Sequence, residues 1–229
     1  MTPGEKGFLL LTGFIGDAER KPLSIPRFRE LAKKMRFMER PTRERELTPT
    51  DLQAIGCSAR ESEQILQLLS QEELLEIYLS RGRETGCYPI TRISEHYPHR
   101  LRHCLGLEAP GTLWYKGDIC LLDKPKVSLV GSRELLDRNL SFAREVGQQC
   151  ARQGYVLVSG HARGADKEAE EACLAKGGQV ISVVCDSLQD QNARENVLFL
   201  AEDGFQIEFT PYRALARNRL IHALGEKTF

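Results

Sequence analysis

Apolar and polar positions follow one rhythm up to about residue 85 and another after it. In the first stretch apolar residues recur at three- and four-residue spacing, the period of helices packed on one side. Gly7–Phe14 predicts a short apolar helix. Ser24-Ile25-Pro26 opens a second that runs to about Met38, with proline near its first turn. Thr50-Asp51 begins a short one ending at Gly56. Ser58-x-x-Glu61 is a capping box ahead of Ile65, Leu66, Leu68 and Leu69. Ser70-x-x-Glu73 is another, ahead of Leu74, Leu75, Ile77, Tyr78 and Leu79, and Gly82 closes it. Residues 1–85 are expected to form a small all-helical domain.

From residue 86 continuous apolar and β-branched runs alternate with helical patterns. Ile90–Ser94 predicts a short strand, and Arg100–Leu105 a short helix after Tyr97-Pro98. Lys126–Val130 (KVSLV), Tyr155–Val158 (YVLV), Gln179–Cys185 (QVISVVC) and Phe205–Phe209 (FQIEF) predict strands, the first buried on both faces. Leu140–Arg152, Ala165–Lys176, Glu195–Asp203 and Arg217–Leu224 predict helices, the last beginning at its arginine and ended by Gly225. Strand and helix alternating with short connections predict an α/β domain over residues 86–229, a parallel sheet with helices on both faces.

Composition narrows the class. At 229 residues the chain holds one or two domains, and 41% hydrophobic with 28% charged residues excludes a disordered chain and a membrane bundle. Gly7–Gly16 is too short to span a bilayer and no small-residue cleavage signature follows it, so a cytoplasmic location and no membrane partner are expected. Lys+Arg and Asp+Glu both number 32. That balance excludes a polycation that coats DNA but leaves room for a local basic pocket. The seven cysteines form no C-x-x-C pair, which suits free thiols in a reducing compartment.

Candidate chemistry gathers where an open parallel sheet binds ligands, beyond the carboxyl ends of its strands. One strand ends in Gly131-Ser132-Arg133. The next ends in Ser159-Gly160-His161-Ala162-Arg163-Gly164-Ala165-Asp166, directly before a helix. Glycines let the backbone approach a ligand, and unpaired amides at a helix start, hydroxyls and two arginines suit phosphate oxygens. Arg217-Asn218-Arg219 is a third element: arginines at a helix start oppose its dipole and call for an anion nearby. Structural alternatives stand beside each. A Gly-rich turn is needed simply to enter a helix, Asp166 serves equally as a helix cap, and His161 as a loop imidazole facing water. Neither loop matches a dinucleotide or ATP-binding motif, so no cofactor is expected. His96, His99 and His103 beside Cys104 lack the glutamate of a zinc helix and lie among Arg100 and Arg102, so no metal is expected either. No catalytic constellation is present, and the chain is read as a binding protein, not an enzyme.

These motifs occur in a specific order. Tyr97-Pro98-x-x-Leu101 comes first, then Ala109-Pro110 with Leu113-Trp114-Tyr115-x-Gly117. Val130-Gly131-Ser132-Arg133, Ser159-Gly160-x-Ala162-x-Gly164-x-Asp166 and Arg217-Asn218-Arg219-Leu220-Ile221 follow. In that order, over Tyr97–Leu224, the chain resembles the DNA-processing protein family DprA/Smf. The resemblance implies a Rossmann-like fold and single-stranded DNA bound in a positive pocket at the carboxyl edge of the sheet. It also implies transfer of that DNA to a RecA-type recombinase in natural transformation, commonly by a homodimer. By position, Gly131, Ser132 and Arg133 match the family's phosphate contact. Ser159, Gly160, Ala162, Gly164 and Asp166 match its Gly-rich loop, and Arg217, Asn218 and Arg219 its R-N-R segment.

Departures are also visible. Glu170 stands where the family usually carries histidine, Asp186–Asn192 lacks the usual Tyr-Pro, and Ala214-Leu215 replaces Phe-Pro. The family's sheet continues with further strands, so the resemblance implies that the chain ends short of the full domain. The alternative function is a nucleotide-binding sensor or a nucleotide phosphoribohydrolase of the LOG type. Such enzymes carry a P-G-G-x-G-T segment that this sequence lacks.

Overall fold

A computed structural model describes residues 1–17, 19–36, 38, 46–134 and 136–229. The chain divides into two compact units, Met1–Ser80 and Arg81–Phe229.

The first unit contains α1 (Pro3–Thr12), α2 (Ile25–Met35), α3 (Pro49–Ala54), α4 (Ala59–Leu69) and most of α5 (Glu72–Glu84). Capping boxes set three of the starts. Ser58 and Glu61 open α4 as predicted, while Thr2 with Glu5 and Thr48 with Asp51 open α1 and α3 ahead of their predicted starts. The second helix was expected to reach Met38, through residue 37, which lies outside the described residues. Ser70 is not a cap; its hydroxyl donates to Gln67 O, and α5 continues past Gly82. Leu23, Leu31, Leu52, Cys57, Ile65 and Leu68 form a core cluster. Arg20 is buried and donates to Gly13 O and Leu10 O, so a cation sits on the carbonyl end of α1.

The second unit runs β1 (Tyr88–Thr91), α6 (His99–Leu105), β2 (Thr112–Gly117), β3 (Lys126–Ser128), α7 (Asp137–Gln153) and β4 (Val156–Ser159). It continues with α8 (Ala165–Leu174), β5 (Gln179–Val183), β6 (Val197–Glu202), α9 (Pro211–Leu224) and β7 (Lys227–Thr228). One sheet takes all seven strands in the order β1-β2-β6-β5-β4-β3-β7. β6, β5, β4, β3 and β7 are parallel. β2 lies antiparallel to β6, and β1 antiparallel to β2 with Pro89 opposite Trp114. The sheet is therefore parallel through five strands and mixed at one edge.

Helices cover both faces. Val156, Val158, Ile181, Val183, Leu198 and Leu200 pack with Leu220, Ile221 and Leu224 of α9 and Leu101 of α6. The alternate residues of β4 and β5 point the other way, where α7 and α8 pack against each other and onto the sheet.

Three predicted elements differ. Glu195–Asp203 is not a helix: its VLFLAE segment is β6, with Val197–Ala201 buried as in a strand covered on both faces. Phe205–Phe209 forms no strand. β6 is already flanked by β5 and β2, and Phe205 instead packs its ring 4.8 Å from Trp114. The last helix begins at Pro211, where Thr210 accepts a hydrogen bond from Arg213 N and proline occupies the first turn. Arg217-Asn218-Arg219 thus lies mid-helix, and the dipole argument for an anion beside it falls.

Candidate nucleic-acid interface

The loops after β3 and β4 interlock. Ala165 N donates to Ser132 O at 3.1 Å, and Gly131 N donates to Asp166 Oδ1 at 3.2 Å. Gly164 has φ +95, and a Cβ there would lie 2.3 Å from Ser132 O and 2.7 Å from Arg133 Cα, so glycine alone fits the crossing. Ser132, Arg133 and Arg163 are exposed. Among the described residues neither arginine makes an ion pair or side-chain hydrogen bond, and the amides of Ser132, Arg133, Arg163 and Gly164 have no partner. Two exposed guanidinium groups carried by loops that touch, with unpaired backbone N–H groups in the same loops, suit an anion.

Other predicted site residues support these loops from beneath. The Ser159 hydroxyl is buried and donates to Leu129 O at 2.9 Å. Arg217 is buried; its Nη1 donates to Gly160 O and, at 2.6 Å, to Val183 O, and Nη2 lies 3.6 Å from Asp166 Oδ2. A Cβ on Gly160 would run into that guanidinium. Burial pushes the Asp166 carboxyl above its ordinary range, against the pull of Arg217 and of the Gly131 N–H. Asp166 thus joins the two loops to α9. Arg219 pairs with Glu202 and donates to Glu108 O at 2.6 Å, and Asn218 is half-buried. Ala162 is half-buried within the loop.

His161 adopts a left-handed backbone, φ +56. Glu170, buried on α8, accepts from His161 N at 2.9 Å and meets its ring Nδ1 at 2.6 Å. That ring hydrogen bond raises the imidazole pKa above its ordinary value, outweighing burial.

A cleft of about 600 Å³ opens beyond the ends of β5 and β6, lined by Cys185, Glu202, Asp203, Tyr212, Arg213 and Arg217 among others. Of these, Arg217 belongs to the predicted R-N-R segment, while Tyr212, 79% exposed, was not singled out from the sequence. The Thr210-Pro211 helix start was the signal that would have brought it into the site. Burial raises the Cys185 thiol pKa. His96 meets Asp123 at 3.2 Å and His99 faces Arg102, and no cluster of three metal-ligating side chains occurs among the described residues. No helix among them is long and apolar enough to cross a membrane.

Fold and site together define a Rossmann-like α/β protein that presents two interlocked, arginine-bearing loops at the carboxyl edge of its sheet. The chain belongs to the DNA recombination-mediator protein A family, whose model matches residues 89–229. It is 29% identical over 159 residues to DNA processing protein DprA of Bacillus subtilis, covering 65% of this chain and 53% of the relative. It is 34% identical over 149 residues to DprA of Streptococcus pneumoniae, covering 60% and 48%. The chain thus spans about half the length of these curated relatives. The X-ray structure of the Streptococcus pneumoniae protein shares the fold, with a TM-score of 0.67 over 100% of this chain and 77% of that chain at 23% identity. The structure of DNA processing protein A from Helicobacter pylori, a protein with a single-stranded DNA binding mode, gives a TM-score of 0.50 at 28% identity, covering 62% and 67%.

Proposed function

We propose that this protein binds single-stranded DNA by its phosphate backbone and assists loading of a RecA-type recombinase during DNA uptake and recombination, acting in the cytoplasm as a homodimer. The observation that carries the DNA reading is the exposure of Arg133 and Arg163, unpaired among the described residues, on loops locked together by the Ala165 N to Ser132 O hydrogen bond. Family membership and the relatives' names support a DNA-processing role in recombination, while the recombinase partner and the dimer rest on the family resemblance alone. Exposed Tyr212 at the lip of the adjoining cleft favours single over double strands, because unstacked bases offer a face for an aromatic ring. Phosphates, guanidinium groups and amides suffice for this role, with no bond broken and no cofactor used.

Fluorescence anisotropy of a labelled oligonucleotide, single versus double stranded, at two salt concentrations tests the reading. For about three neutralised phosphates the affinity of the single strand falls with a log–log salt slope of about −2. Equal affinity for duplex, or none for either, overturns it. Release of free base from a nucleoside monophosphate establishes the nucleotide-enzyme alternative instead.

A further inference from the structure

Two carboxylates lie beneath the Gly-rich loop, one helical turn apart on α8: Asp166, 2% exposed, and Glu170, 3% exposed. Buried carboxylates this close repel unless each has its own cation. Arg217 serves Asp166 at 3.6 Å. Glu170 has His161, held at two points, the backbone N–H at 2.9 Å and ring Nδ1 at 2.6 Å. The two-point grip explains why a non-glycine residue keeps φ +56, a conformation that persists only where its surroundings enforce it. The protonated ring gives two cations for two carboxylates; the neutral ring leaves one carboxylate uncompensated.

The grip also fixes the tautomer. With Nδ1–H donating to Glu170, Nε2 carries a proton only when the ring is cationic. The His161 side chain is 31% exposed, and Nε2 makes no hydrogen bond among the described residues. Phe199 of β6 packs edge-on to the ring at 5.6 Å. The other charges acting on the ring are Lys167, which disfavours the cation, and Asp186 after β5 and Glu171 of α8, which favour it. Arg194, ahead of β6, acts on Glu170.

We propose that His161 is the third cation of the phosphate grip, that it donates Nε2–H to a phosphate oxygen only as imidazolium, and that Glu170 is the positioning residue that orients it. The inference rests on the phosphate-capture reading above and adds proton control to it. A position that departs from the family pattern, Glu170, thereby acquires a role through its loop partner.

The test uses the full chain with a labelled oligothymidylate, whose anisotropy is followed from about pH 6 to about pH 9 at fixed ionic strength, alongside an NMR titration of the His161 ring. Affinity is expected to fall about tenfold as pH rises through the ring's pKa, the loss of one charge-assisted hydrogen bond. Glu170→Gln is expected to lower the His161 pKa and carry the affinity midpoint down with it. His161→Gln, checked for folding by circular dichroism, is expected to bind at the weaker level throughout, without the pH step. The same pH profile in wild type and His161→Gln overturns the proposal, as does a His161 ring that titrates at its ordinary value of about 6.5. If wild type binds no DNA at any pH, phosphate capture itself fails and His161 loses its DNA role, while the NMR titration separately decides the pairing with Glu170.

Discussion

The Arg217 guanidinium stands 3.6 Å from the Asp166 carboxylate with both side chains buried, and it also donates to Gly160 O and Val183 O. One side chain from the middle of α9 therefore ties the ends of β4 and β5 to the first turn of α8. It holds the loops in place, while Arg133 and Arg163 remain free for a ligand.

Removal of Arg217 should be felt as lost stability before lost chemistry. Arg217→Ala leaves Asp166 buried and uncompensated, a change that costs about 3–5 kcal/mol. Urea unfolding reads this as a lowered midpoint. Arg217→Lys should rescue little, because an ammonium lacks the planar fork that reaches two carbonyls and a carboxylate at once.

Arg133→Ala and Arg163→Ala should behave in the opposite way. Both side chains are exposed, so stability stays within about 0.5 kcal/mol of wild type. Oligonucleotide affinity falls for every sequence, and each substitution makes the salt slope shallower by about 0.7. Unchanged affinity in both variants would remove the loops from the interface.

Tyr212→Ala separates base from backbone contact. If the exposed ring carries a base, affinity for an oligothymidylate weakens by about 1–3 kcal/mol, while an abasic strand of equal length is bound as before. Equal weakening for both strands places Tyr212 outside any stacking role.

The His161–Glu170 pair predicts a pH dependence of stability with a definite sign. A ring whose pKa is raised on folding contributes stability fully present below its unfolded value of about 6.5, and lost as pH rises through the higher folded value. Thermal unfolding of wild type should therefore fall relative to His161→Gln as pH is raised across that window. A constant difference between the two curves would show that the ring does not titrate with folding.

The two loops were legible because glycines directly follow β-branched runs, where a chain must turn at a strand end. β6 was not: Val197–Glu202 begins near Glu195 and contains alanine, and a short apolar run fits a buried helix as well as a buried strand. The antiparallel course of β2 was also hidden, since alternation shows which residues are covered and not which way a strand runs. Arg217 was picked out as chemically unusual, but its position in α9 depended on a Thr210-Pro211 start that the basic triplet overshadowed. The contact of His161 with Glu170 depends on a left-handed turn nine residues upstream of its partner, which no periodicity encodes.

Pro89, opposite Trp114 in β1, lies in the strand that forms one rim of the sheet. A proline is tolerated at such a rim when its missing N–H faces away from the neighbouring strand, and it leaves the outer row of donors incomplete. Accretion of a foreign β-segment on that side is discouraged by the backbone itself, which protects the protein from linear polymerisation there.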